Sequence, residues 1–215
     1  MSSYLRTTNT HMSYKIVKNK DYLHKPTVPV STIEEGEQIA QELIKALDEI
    51  KVGLGLSANQ IGINKSVSVV RVKKDRPPVI LINPTIVETS KEQITYLEGC
   101  LSLPGKRTTT LRKMKVTVAT LNHANPMPFG PDVEPVTQES IRDDYGILES
   151  VCVQHEIDHL NGKLMIDDGV RFDPPKPKNV KYGRNDKVVV EKNGETQYLK
   201  YKKALELVEQ GWKII

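Results

Sequence analysis

The spacing of apolar residues predicts one long helix in this chain of 215 residues. After Thr32, apolar side chains recur three and four positions apart as far as about Ile50, which places them on one face of a helix. Thr32 and Glu35 match a capping box, a pattern typical of a helix N-terminus. A second helix is predicted from about Gly146 to Gly162, where the second glycine matches a C-terminal stop.

Runs of β-branched residues predict separate short strands. The strands expected are Lys15–Val17, Ser66–Val72, Pro78–Ile82 and Val116–Leu121. Four prolines and a glycine between Asn122 and Pro135 predict a loop in that stretch.

The last part of the chain has a pattern of its own. Its prolines make Arg171–Pro177 a stiff linker. Two β-prone runs, Lys187–Glu191 and Thr196–Tyr201, flank Asn193-Gly194 and predict a β-hairpin. A short helix is predicted after it, over Lys203–Gln210.

Charge divides the chain at the same place. From Arg171 to Ile215, eleven Lys and Arg residues and six Asp and Glu residues give a net charge of +5, and the total of +4 leaves −1 for the rest. We therefore expect three segments: a flexible arm over residues 1–13, a main domain over residues 14–170 and a basic extension over residues 171–215. The extension is a candidate for contact with an anionic partner, and a capping appendage is the simpler alternative.

Composition excludes several classes of protein. A hydrophobic content of 38% and a charged content of 27% are typical of a globular protein, and no run of 18 apolar residues predicts a membrane span. The first ten residues lack the apolar core of a signal peptide. Because Cys100 and Cys152 are the only cysteines, we expect no disulfide framework and free thiols in a reducing cytoplasm.

The second helix carries a metal-hydrolase pattern, His155-Glu156-Ile157-Asp158-His159. Two histidines four residues apart share one helix face, where a single divalent metal can bind both rings. Glu156 is then placed to take a proton from the water that such a metal activates. The alternative is a helix with two solvent-exposed histidines.

A hydrolytic metal needs a third protein ligand. The candidates are acidic residues, His123 and Cys100. The segment Glu98-Gly99-Cys100 favours the cysteine, because glycine lets the backbone approach closely and the thiol follows at once. A buried cysteine that packs as a small hydrophobe is the alternative.

Three segments together resemble the peptide deformylase family. They are Gly53-Leu-Gly-Leu-Ser-Ala-Asn-Gln60, Glu98-Gly-Cys-Leu-Ser102 and Gln154-His-Glu-Ile-Asp-His159, in the order that the family has them. The resemblance covers about Ile16 to Asp167, so the main domain would be the catalytic domain. It implies an α+β fold with small, mainly antiparallel β-sheets around the central helix of the metal motif.

The resemblance also implies a role for individual residues. Cys100, His155 and His159 would bind the metal, and Glu156 would be the general base and then the acid that protonates the departing amine. Gln60 and the backbone N–H of Leu101 would bind the oxyanion. Glu98 and Arg112 would form a structural ion pair. The residues that would contact the peptide are Leu54, Gly55, Gly99, Arg107, Leu148, Val151 and Cys152.

The activity implied is metal-dependent hydrolysis of the N-formyl group from the formylmethionine of newly made polypeptides, with release of formate. Two histidines and a thiolate suit zinc, iron or nickel, and the resemblance implies Fe²⁺ in the cell with Zn²⁺ or Ni²⁺ in purified protein. We expect a cytoplasmic monomer without membrane contact. Its partners would be the formylmethionyl peptide and, through the basic extension, the ribosome.

Two residues depart from the family's first segment. Ser57 stands where alanine is common, and Asn59 stands where proline is common. Because proline would fix the backbone before Gln60, the asparagine changes how that residue is held, and we expect Asn59 to be hydrogen-bonded locally. The stretch Asn122–Tyr145 also exceeds the family's usual connection, which would alter the rim of the cleft.

Two rival functions remain at this point. A zinc metallopeptidase has the same helix motif but draws its third ligand from downstream, where this chain has no candidate before Asp167. A deformylase-like fold could also serve as a non-catalytic metal-holding or ribosome-binding module, although Glu156 and Gln60 are both present.

Overall fold

The computed structural model describes residues 14–131, 144–171, 185, 187–192 and 195–214. The chain separates into two compact units, within Met1–Phe172 and within Asp173–Ile215. The predicted arm over residues 1–13 and most of the predicted linker lie outside the described residues.

The described residues of the first unit include four helices. They are α1 (Lys20–Leu23), α2 (Ile33–Ile50), α3 (Tyr145–Leu160) and α4 (Met165–Asp168), with a 3₁₀ turn at Ala58–Ile61.

The two long helices confirm the Thr32 N-cap and the Gly162 stop, while the second bond of the predicted capping box is made to Ser31 instead of Thr32. At the start of α2, Thr32 Oγ1 accepts a hydrogen bond from Glu35 N at 3.2 Å, while the Glu35 carboxylate accepts from Ser31 N at 2.9 Å. Gly162 follows the end of α3 with a φ of +74°, which glycine adopts most easily. A Cβ there would also lie 2.5 Å from the carbonyl oxygen of His24.

The strands form small sheets in which every neighbouring pair is antiparallel. The first sheet joins β1 (Gly55–Ser57), β2 (Val67–Val70) and β3 (Val79–Ile82), in that order. The order β4-β7-β8 joins Thr85–Thr89, Val116–Ala119 and Met127–Phe129. The order β5-β6-β9 joins Gln93–Gly99, Arg107–Lys113 and Val170–Arg171. This arrangement confirms the α+β prediction.

Helix α3 lies at the centre of the first unit. Val153 and Ile157 pack in one apolar cluster with strands β2, β3 and β7, and Ile147 and Val151 pack in another with Ile94 of β5. Since most of this helix is buried, its polar side chains need partners inside the protein. Those partners form the candidate site.

Two predictions of local structure were wrong. Lys15–Val17 has no strand pairing, and the Val17 N–H donates instead to the carbonyl oxygen of Gln60 at 2.8 Å. The predicted loop over Asn122–Pro135 is described only over residues 122–131, and that part contains β8, which is an edge strand of its sheet. Pro128 is tolerated there because an edge strand has backbone positions that need no N–H donor.

The second unit pairs β10 (Lys187–Lys192) with β11 (Glu195–Lys200) and β12 (Lys213–Ile214), and its helix α5 spans Tyr201–Val208. The predicted hairpin and short helix are therefore present, although the Asn193-Gly194 turn lies outside the described residues. Within the described ranges, no helix has the length and apolar character required to cross a membrane.

Candidate metal centre and active site

Helix α3 brings the two motif histidines together on a buried face. The ring centroids of His155 and His159 lie 4.9 Å apart, and the rings meet edge to face at 78°. Their exposed fractions are 9% and 1%, so the alternative of two solvent-exposed histidines is wrong.

Cys100 completes a group of three ligand atoms. It follows the last residue of β5, and its Sγ lies 3.2 Å from His159 Nε2. The sulfur and one nitrogen of each ring all lie within 4.8 Å of one another. Ligand atoms around one tetrahedral divalent ion are separated by about 3.3–3.7 Å, and these three atoms lie close enough together to be candidate ligands of a single ion.

The other ligand candidates lie elsewhere. His123 is exposed and does not belong to this group. Asp167, the downstream acid that a metallopeptidase arrangement would use, contacts His24 at 3.2 Å and accepts from Leu164 N at 2.7 Å. The structure therefore favours the upstream cysteine as the third ligand.

Glu98 holds His155 in one orientation. A carboxylate oxygen of Glu98 lies 2.7 Å from His155 Nδ1, which leaves Nε2 of that ring for the metal. Arg112 binds both oxygens of Glu98, at 2.5 and 2.9 Å, and reaches Asp158 of α3 at 2.5 Å. The predicted Glu98–Arg112 ion pair is thus confirmed and continues onto the metal helix.

This network also sets the charge of Glu98. Burial alone would raise the pKa of Glu98, but the hydrogen bonds from Arg112 and His155 outweigh burial and lower it to about 2. The carboxylate is therefore ionised at neutral pH, and it presents a negative charge to the His155 ring.

The two histidines have opposite pKa shifts. Burial lowers the pKa of His155, but its hydrogen bonds with Cys100 and Glu98 outweigh that effect and raise it well above the usual value. Burial and the neighbouring His155 charge lower the pKa of His159 well below its usual value. Both directions hold for the site without a metal, where the surroundings of His155 favour a positive charge; a bound cation would supply that charge in place of the ring proton.

Glu156 is held between two residues of the first motif. Its Oε2 accepts a hydrogen bond from the Ser57 hydroxyl at 2.5 Å. A Cβ on Gly55 would lie 2.5 Å from Oε1, so only glycine leaves room for the carboxylate. Burial raises the pKa of Glu156, against the lowering effects of His155 and Ser57.

Gln60 presents its amide nitrogen to the ligand loop. Gln60 Oε1 accepts from the Ser57 backbone N–H at 2.9 Å, and this bond fixes which end of the amide faces inward. Gln60 Nε2 lies 3.7 Å from Cys100 Sγ and donates to Ser102 Oγ at 3.2 Å. Leu101 stands between those two residues, beside the same space.

A cavity of about 720 Å³ opens above these groups. His155, Glu156, Gln60 and Cys100 lie on its surface. The seven residues predicted to contact the peptide all line it as well: Leu54, Gly55, Gly99, Arg107, Leu148, Val151 and Cys152.

Two of those lining residues differ in detail from expectation. A Cβ on Gly99 would meet no atom within 4 Å, so no other described part of the protein requires a glycine at this position. Burial raises the pKa of the Cys152 thiol, which therefore stays neutral and belongs to the wall of the cavity rather than to the ligands.

Sequence reasoning missed several contacts of the site. Ser57 had been noted only as a departure, and neither its hydroxyl contact with Glu156 nor the Gln60–Ser102 contact was foreseen. Tyr96 lines the cavity from β5, a strand that was not predicted. Asn59 was expected to bond locally, but its amide donates at 2.7 Å to the carbonyl oxygen of His159, one hundred residues away.

Comparisons with known proteins agree on one family. The sequence profile of the polypeptide deformylase family matches residues 13–174. A peptide deformylase of Natranaerobius thermophilus is 38% identical over 159 residues, which cover 73% of this chain and 92% of that protein.

Solved structures show the same likeness. A peptide deformylase crystal structure from Plasmodium falciparum has a TM-score of 0.60 at 29% identity, covering 73% of this chain and 86% of that one. A class I type b peptide deformylase from Acinetobacter baumannii, with Met-Ala-Ser bound, has a TM-score of 0.56 at 30% identity, covering 71% and 96%.

Proposed function

The chain belongs to the polypeptide deformylase family, and on that premise we propose how its own residues carry out the reaction. It is a hydrolase that removes the N-formyl group from nascent polypeptides in a metal-dependent reaction. One observation supports the assignment of roles: Cys100, His155, Glu156 and Gln60 all face a single cavity.

Cys100, His155 and His159 would hold the metal ion. Their thiolate and imidazole donors suit a borderline divalent cation, and the negative charge of Glu98 behind His155 favours a cation there. When bound, the ion would supply a Lewis acid that polarises the formyl carbonyl and makes the attacking water more acidic. We infer Fe²⁺ in the cell, and Zn²⁺ or Ni²⁺ in purified protein.

Glu156 would handle the proton. It takes a proton from the attacking water and then gives one to the nitrogen of the departing amine, so that formate and a free α-amine leave. Its raised pKa suits both steps, because a base with a pKa nearer neutrality can also act as an acid.

Gln60 and Leu101 would stabilise the oxyanion. The Gln60 amide nitrogen already points at the ligand loop, and Leu101 follows Cys100 directly. Their two N–H groups would donate to the oxygen that gains charge in the transition state. Such donors contribute most when neighbouring bonds hold them in place, as the Ser57 backbone N–H holds the Gln60 amide.

The rest of the cavity would bind the formylmethionyl peptide. Gly55, Gly99 and Arg107 would orient its backbone. The methionine side chain would occupy the wall formed by Leu54, Leu148, Val151 and Cys152. The Acinetobacter relative binds Met-Ala-Ser, so formyl-Met-Ala-Ser is a suitable test substrate.

The proposed ligand set is tested by metal content and formate release together. Wild-type protein loaded anaerobically with iron or nickel should release formate from formyl-Met-Ala-Ser. Cys100→Ala should bind less than a tenth as much metal, since one of three ligands is lost. The conservative control is Cys152→Ala, which should retain the metal. Equal metal binding by the wild type and Cys100→Ala would refute the ligand set.

We also propose that residues 171–215 contact the ribosome in the cytoplasm, with the enzyme acting as a monomer. Exposed lysines of the second unit include Lys200, Lys202, Lys203 and Lys213. Lysines that neutralise RNA phosphates give binding that weakens steeply as salt rises.

Ribosome contact is tested in the full-length chain. Changing Lys200, Lys202 and Lys203 to Glu should abolish co-sedimentation with ribosomes at low salt. The matched control changes three exposed lysines of the first unit, Lys15, Lys18 and Lys25, to Glu. Equal pelleting of the two triple variants would contradict the proposal.

A further inference from the structure

Two polar side chains of the first motif cross to the metal helix. Ser57 and Asn59 are almost fully buried, with exposed fractions of 0% and 1%. The Ser57 hydroxyl lies 2.5 Å from the Glu156 carboxylate, and Asn59 Nδ2 donates to the carbonyl oxygen of His159 at 2.7 Å. These are the two positions at which the chain departs from the family's usual alanine and proline.

The Asn59 contact is not needed to satisfy the helix. The carbonyl oxygen of His159 also accepts a hydrogen bond from the backbone N–H of Gly162, at 3.2 Å. Among the described residues, Asn59 Oδ1 is buried and has no hydrogen-bond partner. The unsatisfied Oδ1 makes asparagine less favourable for stability here than alanine or proline. The hydrogen bond from Nδ2 is not required to satisfy the His159 carbonyl oxygen, so it must have another role.

The hydrogen bond from Asn59 to His159 holds the turn that contains Gln60. Asn59 and Gln60 are adjacent in the 3₁₀ turn at Ala58–Ile61. A proline at position 59 would stiffen this turn by fixing its own φ near the 3₁₀ value. Asparagine lacks that restraint, and a hydrogen bond to a buried helix replaces it.

Ser57 restrains the other functional group, which is the Glu156 carboxylate. The hydroxyl carries one proton, and the Glu156 carboxylate lies nearer to it than the Glu156 carbonyl oxygen does, at 2.5 against 3.1 Å. Gly55 packs against the other carboxylate oxygen. The carboxylate is therefore restrained from both sides.

We propose that Asn59 and Ser57 are positioning residues, which tie the Gln60 turn and the Glu156 carboxylate to each other through helix α3. The inference rests on the roles proposed above for Gln60 and Glu156. Neither residue lines the cavity that would hold the substrate: Ser57 acts through Glu156, and Asn59 acts through the turn that contains Gln60. Each should affect the rate of the bound substrate more than its binding, because each restrains a group that acts in the transition state.

The first test separates the hydrogen bond from backbone stiffness at position 59. With formyl-Met-Ala-Ser, Asn59→Ala should lower kcat by about tenfold, with KM and metal content within about twofold of wild type. Asn59→Pro, which also lacks the bond but restrains the backbone, should recover kcat to within about threefold. The matched control is Asn122→Ala, which removes a similar amide-to-carbonyl bond, to Ile80, and should leave kcat unchanged.

A second readout does not depend on activity. The amides of Gly62 and Ile63 donate to carbonyl oxygens of the turn at 3.1 and 3.0 Å, so their hydrogen exchange reports its rigidity. Exchange should be at least about tenfold faster in Asn59→Ala and near wild type in Asn59→Pro. In Ser57→Ala, the hydrogen exchange of these two amides should stay unchanged while kcat falls by about fivefold to tenfold. The reason is that the hydroxyl restrains Glu156 and not the turn.

The outcomes distinguish this proposal from the proposed function. If Asn59→Ala leaves both kcat and amide exchange within twofold of wild type, or if Asn59→Pro falls as far as Asn59→Ala, the positioning role is wrong. If the metal-loaded wild type releases no formate, the proposed function fails instead, and the exchange rates alone decide whether Asn59 restrains the turn.

Discussion

Glu98 connects the metal centre to the rest of the protein through hydrogen bonds to three side chains. It contacts His155 at 2.7 Å, Arg112 at 2.5 Å and the hydroxyl of Thr110. A histidine ligand that donates its second ring N–H to a carboxylate is oriented and made more basic. If His155 is a metal ligand as proposed, Glu98 should therefore contribute to metal affinity although it is not itself a proposed ligand.

Replacing Glu98 by glutamine tests that contribution. The amide retains the size of the side chain but loses its charge, so metal affinity should fall by about 10- to 100-fold. Titration with nickel in the presence of a competing chelator measures the change. Glu88→Gln, at an exposed strand position, is the control and should leave the affinity unaltered. A Glu98→Gln affinity equal to wild type would show that His155 needs no such partner.

A second prediction for a single residue concerns Gly55. Because an added Cβ would lie 2.5 Å from Glu156 Oε1, Gly55→Ala should displace the carboxylate and lower kcat by about 100-fold or more. Metal content should not change, since the ligands lie on other residues. A Gly55→Ala protein that retains the wild-type kcat would count against close packing of Gly55 against Glu156.

Single residues also show what sequence can and cannot reveal about the site. The three ligands, Glu156 and Gln60 lie in short segments whose residue types imply chemistry directly. The partners Ser57, Ser102 and Asn59 are small polar residues that carry no such signal alone. Their contacts join segments about 40 to 100 positions apart, and only the folded chain brings those segments together.

Among the elements, the two long helices were predicted best, whereas the β5–β6 hairpin of the site was not predicted at all. Helix α2 spans Ile33–Ile50 as its cap and spacing indicated. Strands β5 and β6, which lead into and out of the Cys100 loop, were not predicted. The buried positions of β6 hold Thr108, Thr110 and Arg112 instead of apolar residues, so the usual alternation is absent.

Glu98 of this hairpin contacts His155 of helix α3, and its ionisation allows us to predict how stability changes with pH. The pKa of Glu98 is about 2 in the folded protein, below its usual value of 4.5, so the unfolded state binds more protons between those values. Stability should therefore be lost as pH falls from about 4.5 to 2, by up to about 3 kcal/mol from this group. Urea unfolding in the presence of EDTA, so that metal release does not contribute, measures the slope.

The same measurement on Glu98→Gln supplies the comparison. Glutamine does not titrate, so this variant should lose less stability over that pH range than the wild type. Parallel pH profiles for the two proteins would show that the Glu98–Arg112 pair does not couple protonation to folding.

At the scale of the whole molecule, the catalytic parts lie in one of the two units. Among the described residues, all those that line the cavity, from Val52 to Glu156, belong to the first unit. A chain ending at Asp173 should therefore release formate with a kcat within about threefold of the full chain. A loss of about tenfold or more, with normal metal content, would show that residues 174–215 contribute to the chemistry.

The central assignment is that Glu156 moves the proton in a metal-dependent deformylation. Formate release from formyl-Met-Ala-Ser should be compared among iron- or nickel-loaded wild type, Glu156→Ala and the control Glu37→Ala, which alters an exposed glutamate of α2. Glu156→Ala should retain its metal and lose about 1,000-fold in kcat, within the range usual for loss of a general base, while Glu37→Ala stays at the wild-type rate. A metal-replete Glu156→Ala protein that releases formate within tenfold of the wild-type rate would contradict the mechanism.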